Sequence, residues 1–364
     1  MRAPRQAHPY YMYEAICAQP DLVARVLNNR RRPIEQTAAA LAGSKRILFA
    51  GIGTSWHAAL VGERFLRHTT GGRAHALVFD SFELVVDPVA FSTDDALIAI
   101  SHRGGKNCTV EAARLARAAG AVTAAVTGEN GSPGLREAAD FLIPTCEQEL
   151  SSAHTKSYTT ALAALALLAI CIAEQRDQVA DRGTRDALAR VPALMRQALS
   201  CEVQIRQAAR AVAERQRLIF VGTGTNWVTA PEGALKVKET SYLAADGFQT
   251  EQFLHGPITE LDARAAVVAL LAGGRGDVRT IELLRAVGEL GALRVVVASR
   301  GTATEIPAEH ILDIPRVEAW LAPLVHIVPV QLLSYFLALE RGTNPDNERK
   351  EDAAHLRALQ HYRL

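Results

Sequence analysis

Short apolar runs rich in β-branched residues alternate with longer segments of helical pattern through the first half of the chain. Four of these runs are predicted to be strands: residues 46–50, 76–79, 96–100 and 122–126. An Ala-rich segment, Thr109 to Ala119, separates the last two and stops before Gly120, which predicts a helix with a glycine just past its C-terminus. Because the runs are apolar throughout, we expect a parallel sheet covered by helices on both faces.

The pattern of the first half is repeated in the second. Residues 49–56, FAGIGTSW, recur as residues 220–227, FVGTGTNW, at an offset of 171 positions. The same offset places Gly120 on Gly291, and the end of the third strand on the end of another apolar run, residues 267–271. One offset that serves three separate features predicts a duplicated α/β domain. We therefore expect two domains, each a parallel sheet flanked by helices in a flavodoxin-like three-layer sandwich.

The remaining segments are predicted to connect or flank these domains. We expect a helical extension (1–44), the first domain (45–183), a helical linker (184–215), the second domain (216–342) and a polar, turn-rich tail (343–364). The longest apolar run, residues 161–173, is shorter than the roughly 20 residues that cross a bilayer, and we interpret it as a buried helix. No export signal is recognisable near the N-terminus, and no membrane association is expected.

The amino-acid composition argues against several classes of function. The 364 residues include 40 Lys and Arg against 39 Asp and Glu, and the formal net charge of +1 argues against a global basic surface for nucleic acid. The five cysteines form no C-x-x-C pair, so we expect neither a disulfide framework nor a zinc ribbon, and a cytoplasmic setting is the default. The eleven histidines show no metal-ligating spacing, and we expect no metal and no other cofactor.

A candidate anion-binding loop, SHRGGKN, follows the third predicted strand and precedes the predicted helix. In a parallel sheet this position meets ligands, and the free amides at a helix N-terminus favour an anion. Ser101 adds a hydroxyl, Arg103 and Lys106 add cationic donors suited to phosphate or a similar group, and His102 lies between them. The alternative interpretation is a tight turn with solvated charges.

The glycine-rich turn after the first strand is a second candidate. Gly51 and Gly53 resemble half of a dinucleotide fingerprint, but Trp56 stands where the fingerprint needs its third glycine. A nicotinamide cofactor is therefore disfavoured. Contact of Thr54 and Ser55 with a small ligand is favoured over a plain strand-to-helix turn.

Residues 147–157 form a polar cluster before the apolar helix and include Ser152. Helix capping explains one of its Ser and Thr residues, not the whole run.

A third group combines carboxylates, a lysine and a histidine. Glu232, Lys236 and Glu239 are spaced to share one face of a helix. The alternative is a solvated face with an ordinary Glu–Lys pair. His255 precedes a Gly-Pro turn, in a loop pattern typical of functional residues. A carboxylate and an imidazole together suit proton transfer near neutral pH.

These motifs resemble those of tandem sugar-isomerase (SIS) domain proteins, above all the isomerase half of glucosamine-6-phosphate synthase. Residues 152–160, SAHTKSYTT, are similar to the family segment VASTKAFTT, and residues 329–335, PVQLLSY, to PLQLLAY. The most specific matches are EGALKVKETSY at 232–242 and HGP at 255–257. The resemblance covers nearly the whole chain, and the glutaminase-free relatives include isomerases, aminosugar-phosphate deaminases and fructosamine-phosphate deglycases.

The resemblance implies a role for each matching residue. Glu239 would be the base that moves a proton between C1 and C2 of the sugar, and Lys236 would support the open-chain form. His255 would assist ring opening, from the neighbouring subunit of a homodimer whose active site lies near the interface. Ser55, Ser101 and the main chain near Ser152 would hold the sugar and its anion. The other candidate binding residues, which the family match does not assign, are Thr54, His102, Arg103, Lys106 and Glu232.

Two segments depart from the family pattern. The family's phosphate loop Ser-x-Ser-Gly-Glu-Thr is SHRGGK here, so charge replaces two hydroxyls, and phosphate, sulfonate and carboxylate all stay open as the anion. The family's tail RNLAKSV becomes RKEDAA, with Ala353 in place of the lysine and Lys350 or His355 as candidate replacements. No glutaminase domain precedes the first strand, so we expect no supply of ammonia from glutamine.

From these observations we expect an enzyme that acts on an anionic hexose or aminohexose by C1/C2 proton transfer. A sugar-phosphate isomerase or an aminosugar-phosphate deaminase fits best, for example in the interconversion of glucosamine 6-phosphate and fructose 6-phosphate. A fructosamine-phosphate deglycase and an isomerase of a sulfonated hexose are alternatives. A non-catalytic sugar-phosphate sensor is the alternative of another class, disfavoured because no DNA-binding extension is recognisable.

Overall fold

The computed structural model describes residues 5–177, 182–302 and 305–362, and its strands form two five-stranded sheets. The first contains β1 (Arg46–Gly51), β2 (His75–Asp80), β3 (Asp95–Ile100), β4 (Val122–Thr127) and β5 (Phe141–Pro144). The second contains β6 (Arg217–Gly222), β7 (Ala244–Gln249), β8 (Ala265–Leu271), β9 (Leu293–Ser299) and β10 (His310–Ile314). All four strands predicted in the first half are confirmed.

Both sheets have the same strand order, which confirms the duplication. The first reads β2-β1-β3-β4-β5 and the second β7-β6-β8-β9-β10, and all neighbouring strands are parallel. This is the doubly wound, flavodoxin-like arrangement expected from the sequence, in which ligands bind beyond the carboxyl ends of the strands. We therefore expect a ligand-binding site at the loops that follow β1, β3, β6 and β8.

Helices precede, connect and follow the strands. The first seven are α1 (Tyr11–Asn29), α2 (Arg31–Leu41), α3 (Thr54–Thr69), α4 (Ser81–Val86), α5 (Asn107–Ala118), α6 (Pro133–Ala138) and α7 (Lys156–Gln175). The next are α8 (Arg182–Leu199), α9 (Glu202–Ala213), α10 (Asn226–Ser241), α11 (Thr250–Leu254), α12 (Asp277–Glu289), α13 (Ala322–Glu340) and α14 (Ala353–Ala358). Helices α1 and α2 lie in the expected extension. Helix α8 begins at Arg182, just before the expected linker, and α9 lies within it, while the domain boundaries stay a prediction.

The chain divides into two compact units. The N-terminal unit comprises Gln19–Glu149 and Lys156–Pro192 and holds the first sheet. The C-terminal unit holds the second sheet and joins the chain from Ala193 onward to Leu150–Thr155 and to the N-terminal segment up to Ala18. Strands β3 and β8 are buried along their whole length, because each sheet is covered on both faces.

Two helices in the described ranges are long and apolar enough to cross a membrane by length and composition alone. They span Lys156–Gln175 and Ala319–Glu340, and 94% and 100% of their most apolar stretches are buried inside the protein. The buried helix predicted from the apolar run at 161–173 is confirmed, although it is longer than that run. Both helices therefore serve as packing elements of the interior.

The turn after β1 and its copy after β6 require glycine. A Cβ on Gly51 would lie 2.5 Å from the backbone of Ser55, and one on Gly222 would approach the next helix equally closely. Gly53 and Gly224 have φ values of 58° and 59°, which side chains rarely allow. These glycines let α3 and α10 begin directly beyond the carboxyl end of a strand.

Candidate active site

Three charged residues of α10 meet on one face, as their spacing predicts. The Lys236 Nζ lies 2.5 Å from Glu239 Oε2 and 3.5 Å from Glu232 Oε1. The side chains of Glu232 and Lys236 are fully buried, and Glu239 keeps 22% of its side chain exposed. The alternative interpretation, a solvated helix face, is therefore wrong.

Close packing buries one face of α10. Gly233 faces neighbouring elements so closely that a Cβ there would lie 2.7 Å from Val330 of α13 and 3.0 Å from Phe220 of β6. The Thr240 hydroxyl donates to the Ser334 carbonyl of α13 at 3.2 Å. Glu232 and Lys236 are therefore buried with the face of α10 that carries them.

The surroundings of Glu239 favour its neutral form. Burial raises the pKa of this carboxyl to about 7; Lys236 opposes the rise, and the negative charges of Glu232 and Glu348 add to it. A carboxyl with a pKa near ambient pH can both accept and return a proton, which general acid–base catalysis requires.

The C-terminal tail lies against the end of α10. The hydroxyl of Tyr242, the residue that follows α10, accepts the Arg349 N–H at 2.7 Å and donates to Glu351 Oε1 at 3.2 Å. Glu348 and Arg349 have φ values of 48° and 60°, a left-handed conformation that residues with side chains rarely adopt. The tail turns tightly here, and this turn brings the charge of Glu348 near Glu239.

The same tail reaches Ser152. The Lys350 ammonium donates to Ser152 Oγ at 2.8 Å and lies 3.4 Å from Glu348 Oε2. His355 instead pairs with Asp352 at 3.3 Å. Of the two candidate replacements for the family's tail lysine, the structure places Lys350 beside a predicted site residue.

Sequence reasoning missed Asp346. Its carboxylate accepts the N–H groups of Tyr11 and Met12, each at 2.9 Å, and its carbonyl accepts the Ser152 N–H at 3.0 Å. The local Asn-Pro-Asp pattern signals only a turn. Because Tyr11 lies 335 positions away in the chain, no local pattern could have revealed the contact.

His255 occupies a different environment from the α10 cluster. It follows α11 directly, its side chain is 71% exposed, and its Nε2 lies 3.1 Å from Glu251 Oε1. Glu251 also binds Arg279 at 2.7 Å. Within the described chain, the imidazole therefore pairs with a surface carboxylate and not with Glu239, and its role in ring opening stays a prediction.

The loop after β3 has the strand–loop–helix geometry that the sequence predicts. Gly104 has a φ of 70°, and its N–H donates to Ser101 Oγ at 3.2 Å. The carbonyl of the buried His102 accepts the Gly128 N–H at 2.9 Å. These bonds fix the backbone of the loop, while Arg103 is exposed.

Thr54 and Ser55 form the first turn of α3, directly after β1. Strands β1 and β3 are parallel neighbours, so their carboxyl ends lie at one edge of the sheet. Ser101 follows β3 at this same edge. The N-terminal unit therefore gathers the hydroxyls of Thr54, Ser55 and Ser101 in one region.

The two copies differ at the helix that follows their third strand. Asp277 stands 171 positions after Lys106, at the start of α12. Its Oδ2 accepts the Gly273 N–H at 2.7 Å; burial raises the pKa of Asp277, and hydrogen bonds from loop amides oppose the rise. The second copy thus fills this loop with its own carboxylate, whereas the first copy has a lysine at the same position.

Two carboxylates hold the polar segment before α7. Glu147 Oε1 lies 2.6 Å from Lys156 Nζ, and its Oε2 lies 2.9 Å from Arg25. Burial alone would raise the pKa of Glu147, but these cations outweigh it and lower the pKa to about 2. Glu149 Oε1 accepts the N–H and the hydroxyl of Ser157 at 2.8 Å and 2.6 Å. The start of α7 is therefore held by a carboxylate.

Known proteins are similar to this chain in both sequence and fold. Residues 40–171 and 211–341 match the SIS domain. Glutamine–fructose-6-phosphate aminotransferase (isomerizing) of Thermococcus kodakarensis is 31% identical over 351 residues, which cover 95% of this chain and 58% of that protein. The C-terminal domain of glucosamine-fructose-6-phosphate aminotransferase from Francisella tularensis has a TM-score of 0.84 at 24% identity, covering 94% of this chain and 99% of that one. Tagatose-6-phosphate ketose/aldose isomerase from Escherichia coli has a TM-score of 0.77 at 21% identity, covering 95% and 97%.

The match to the SIS domain coincides with the duplication. The first matched range contains β1–β5 and the second contains β6–β10. The chain spans 58% of the length of the Thermococcus relative and nearly all of the Francisella C-terminal domain. The resemblance seen in the motifs is confirmed, and the chain belongs to the SIS domain family, with one domain in each half.

Proposed function

We propose that this protein transfers a proton between C1 and C2 of an open-chain anionic sugar, as an isomerase or a deaminase. The observation that carries the proposal is Glu239, a carboxyl with a pKa raised to about 7 and an ammonium group, Lys236, 2.5 Å away. The names of an isomerizing aminotransferase and a ketose/aldose isomerase among the similar proteins describe chemistry of this kind.

The α10 cluster supports a stepwise transfer. Glu239 takes the proton from C2 of the aldose, the electron pair of that bond forms the C1=C2 double bond of an enediol, and the oxygen at C1 gains a proton. Glu239 then returns its proton to C1, while the oxygen at C2 loses a proton and becomes the ketose carbonyl. Before the first transfer and after the second, Lys236 stabilises the carboxylate form of Glu239.

The anion of the substrate is assigned to the loop after β3. Arg103 and Lys106 supply positive charge beside a helix N-terminus, and the hydroxyls of Ser101, Thr54 and Ser55 lie at the same edge of the sheet. A phosphate suits this combination of charged donors and hydroxyls.

We further propose that His255 serves the site of a second copy in a homodimer. Its exposed imidazole pairs with Glu251 at the surface of the chain, where it can contact a ligand held by a neighbouring subunit.

Proton exchange in heavy water tests the reaction. Purified protein is incubated in D₂O with glucosamine 6-phosphate, and with fructose 6-phosphate in the presence and absence of ammonium, and the sugars are followed by NMR. We expect deuterium at C2 of the aldose and at C1 of the ketose. If a sugar phosphate protects the protein against thermal unfolding yet never exchanges, the sensor interpretation holds and the proposed reaction is wrong.

Removing charge from the loop after β3 is expected to weaken substrate binding. Arg103→Gln with Lys106→Gln keeps polar, unbranched side chains but removes both cations, and each lost charge-assisted bond costs roughly 1.5–3 kcal/mol. We expect the KM for a phosphorylated substrate to rise at least about tenfold, with a smaller change in kcat. The matched control, Lys45→Gln with Arg73→Gln, removes two exposed cations elsewhere in the same unit. Equal KM values in the two double variants would contradict this assignment.

A further inference from the structure

We propose that Asp346 is a positioning residue that holds Lys350 at the active site. Asp346 does not itself contact the substrate; it acts by anchoring the tail that carries Glu348 and Lys350. The inference rests on the proposed function, because it concerns the site around Glu239.

The first anchor is the N-terminus of α1. Each carboxylate oxygen of Asp346 accepts one backbone N–H, from Tyr11 and from Met12, both at 2.9 Å. These amides lie in the first turn of α1, where backbone N–H groups point out of the helix and the helix dipole stabilises a negative charge. The Asp346 side chain, from the distant tail, thus caps the N-terminus of α1.

The second anchor is made by the backbone around Asp346. Its carbonyl accepts the Ser152 N–H at 3.0 Å, and its own N–H donates to Asn344 Oδ1 at 2.9 Å. The Asn344 amide donates in turn to the Arg5 carbonyl at 3.1 Å. Asp346 therefore joins three segments of the C-terminal unit: the start of the chain, the Ser152 loop and the tail.

The turn between Asp346 and Lys350 depends on this anchoring. Two consecutive residues there, Glu348 and Arg349, have left-handed φ values, and such a backbone persists only where its surroundings hold it. Tyr242 holds the far end through the Arg349 N–H at 2.7 Å. If Asp346 no longer holds the near end, the turn can relax.

Two effects on the reaction follow. Lys350 loses its fixed position at Ser152, and displacement of a group by about 1 Å can cost a reaction on the order of 100-fold. Glu348 also moves away from Glu239. Because a nearby negative charge raises the pKa of Glu239, its departure shifts the acidic limb of the pH–kcat profile to lower pH.

The test compares Asp346→Ala and Asp346→Asn with a matched control, Asp352→Asn. Asp352 also accepts N–H groups at a helix start, from Ala354 and His355. In the described part of the chain its other bonds stay within the tail, among them an exposed ion pair with Arg349 at 3.7 Å, a kind of pair that contributes about 0–1 kcal/mol. We expect kcat/KM to fall roughly 10- to 100-fold in Asp346→Ala, mostly through kcat. Asp346→Asn keeps one acceptor oxygen for two donors, so we expect its kcat/KM to lie between those of Asp346→Ala and the wild-type protein. Asp352→Asn is expected to keep the wild-type rate and profile.

A double variant distinguishes positioning from general destabilisation. In a Lys350→Met background, Asp346→Ala is expected to lower kcat/KM little further, because the group it positions is already gone. Effects that add fully, an unchanged acidic limb, or a loss of rate that only follows the folded fraction would overturn the inference. Should Asp346→Ala fail to fold, the same comparisons are made with Asp346→Asn. A wild-type protein without exchange activity would instead refute the proposed function, so the two failures are distinguishable.

Discussion

Replacing Glu239 with glutamine is expected to slow C1/C2 proton exchange by about 10²- to 10⁴-fold. Glutamine has nearly the same shape but does not accept a proton at working pH, so the reaction loses its base while the sugar-binding groups stay in place. Lys236 keeps Glu232 as a partner at 3.5 Å, which preserves the charge balance of the buried pair. The exchange rate is measured by NMR in D₂O, and substrate affinity by calorimetry is expected to change little.

The pH profile gives a second readout of the same residue. Glu239 acts as a base only when deprotonated, and its pKa is raised to about 7, so the wild-type rate rises as pH increases through about 7. The Glu239→Gln variant is expected to lose this limb. The control, Glu340→Gln, removes a carboxylate at the end of α13 that pairs with Arg210 at 3.1 Å. We expect this control to keep both the wild-type exchange rate and the acidic limb of the pH profile. Full exchange activity in Glu239→Gln would show that another group is the base.

Replacing Lys236 with methionine is expected to lower the free energy of unfolding by about 3–5 kcal/mol at neutral pH. Methionine keeps the volume of the side chain but leaves two carboxylates, Glu232 and Glu239, without the cation that lies between them. The loss is expected to shrink as pH falls, because Glu239, whose pKa burial raises to about 7, then takes up a proton and no longer needs a counter-charge. Urea unfolding at several pH values measures it.

Lys238 of the same helix is the matched control. Its side chain is 49% exposed and its partner is Asp246 at 3.1 Å, and exposed pairs of this kind contribute about 0–1 kcal/mol. Lys238→Met is therefore expected to change stability little, with little dependence on pH. Similar losses in Lys236→Met and Lys238→Met would mean that burial does not distinguish the two lysines.

Much of the fold was predictable because it is encoded locally. Continuous apolar runs predict buried parallel strands wherever they occur, and the recurrence of FAGIGTSW as FVGTGTNW marks the second copy without any three-dimensional information. The spacing of Glu232, Lys236 and Glu239 also predicts a shared face, since helix geometry alone determines it. These predictions depend on neighbours within a few positions in the chain.

Burial of the α10 cluster was not predictable in this way. The same spacing fits a solvated surface pair, and what decides between the two is the packing of α10 against α13 and β6, which Gly233 allows. Desolvation by that packing raises the pKa of Glu239, so a property central to the proposed reaction arises from contacts distant in sequence.

By itself, the sequence determined two copies of a parallel α/β domain, the turns that start their helices, and which charged residues share a helix face, because each depends on local periodicity and backbone geometry. Only the tertiary structure decided that the α10 charges are buried, that Asp277 fills one copy of the loop, and that Asp346 joins the tail to α1 and Ser152. The physical reason is that desolvation and long-range hydrogen bonds exist only after distant segments of the chain have packed together.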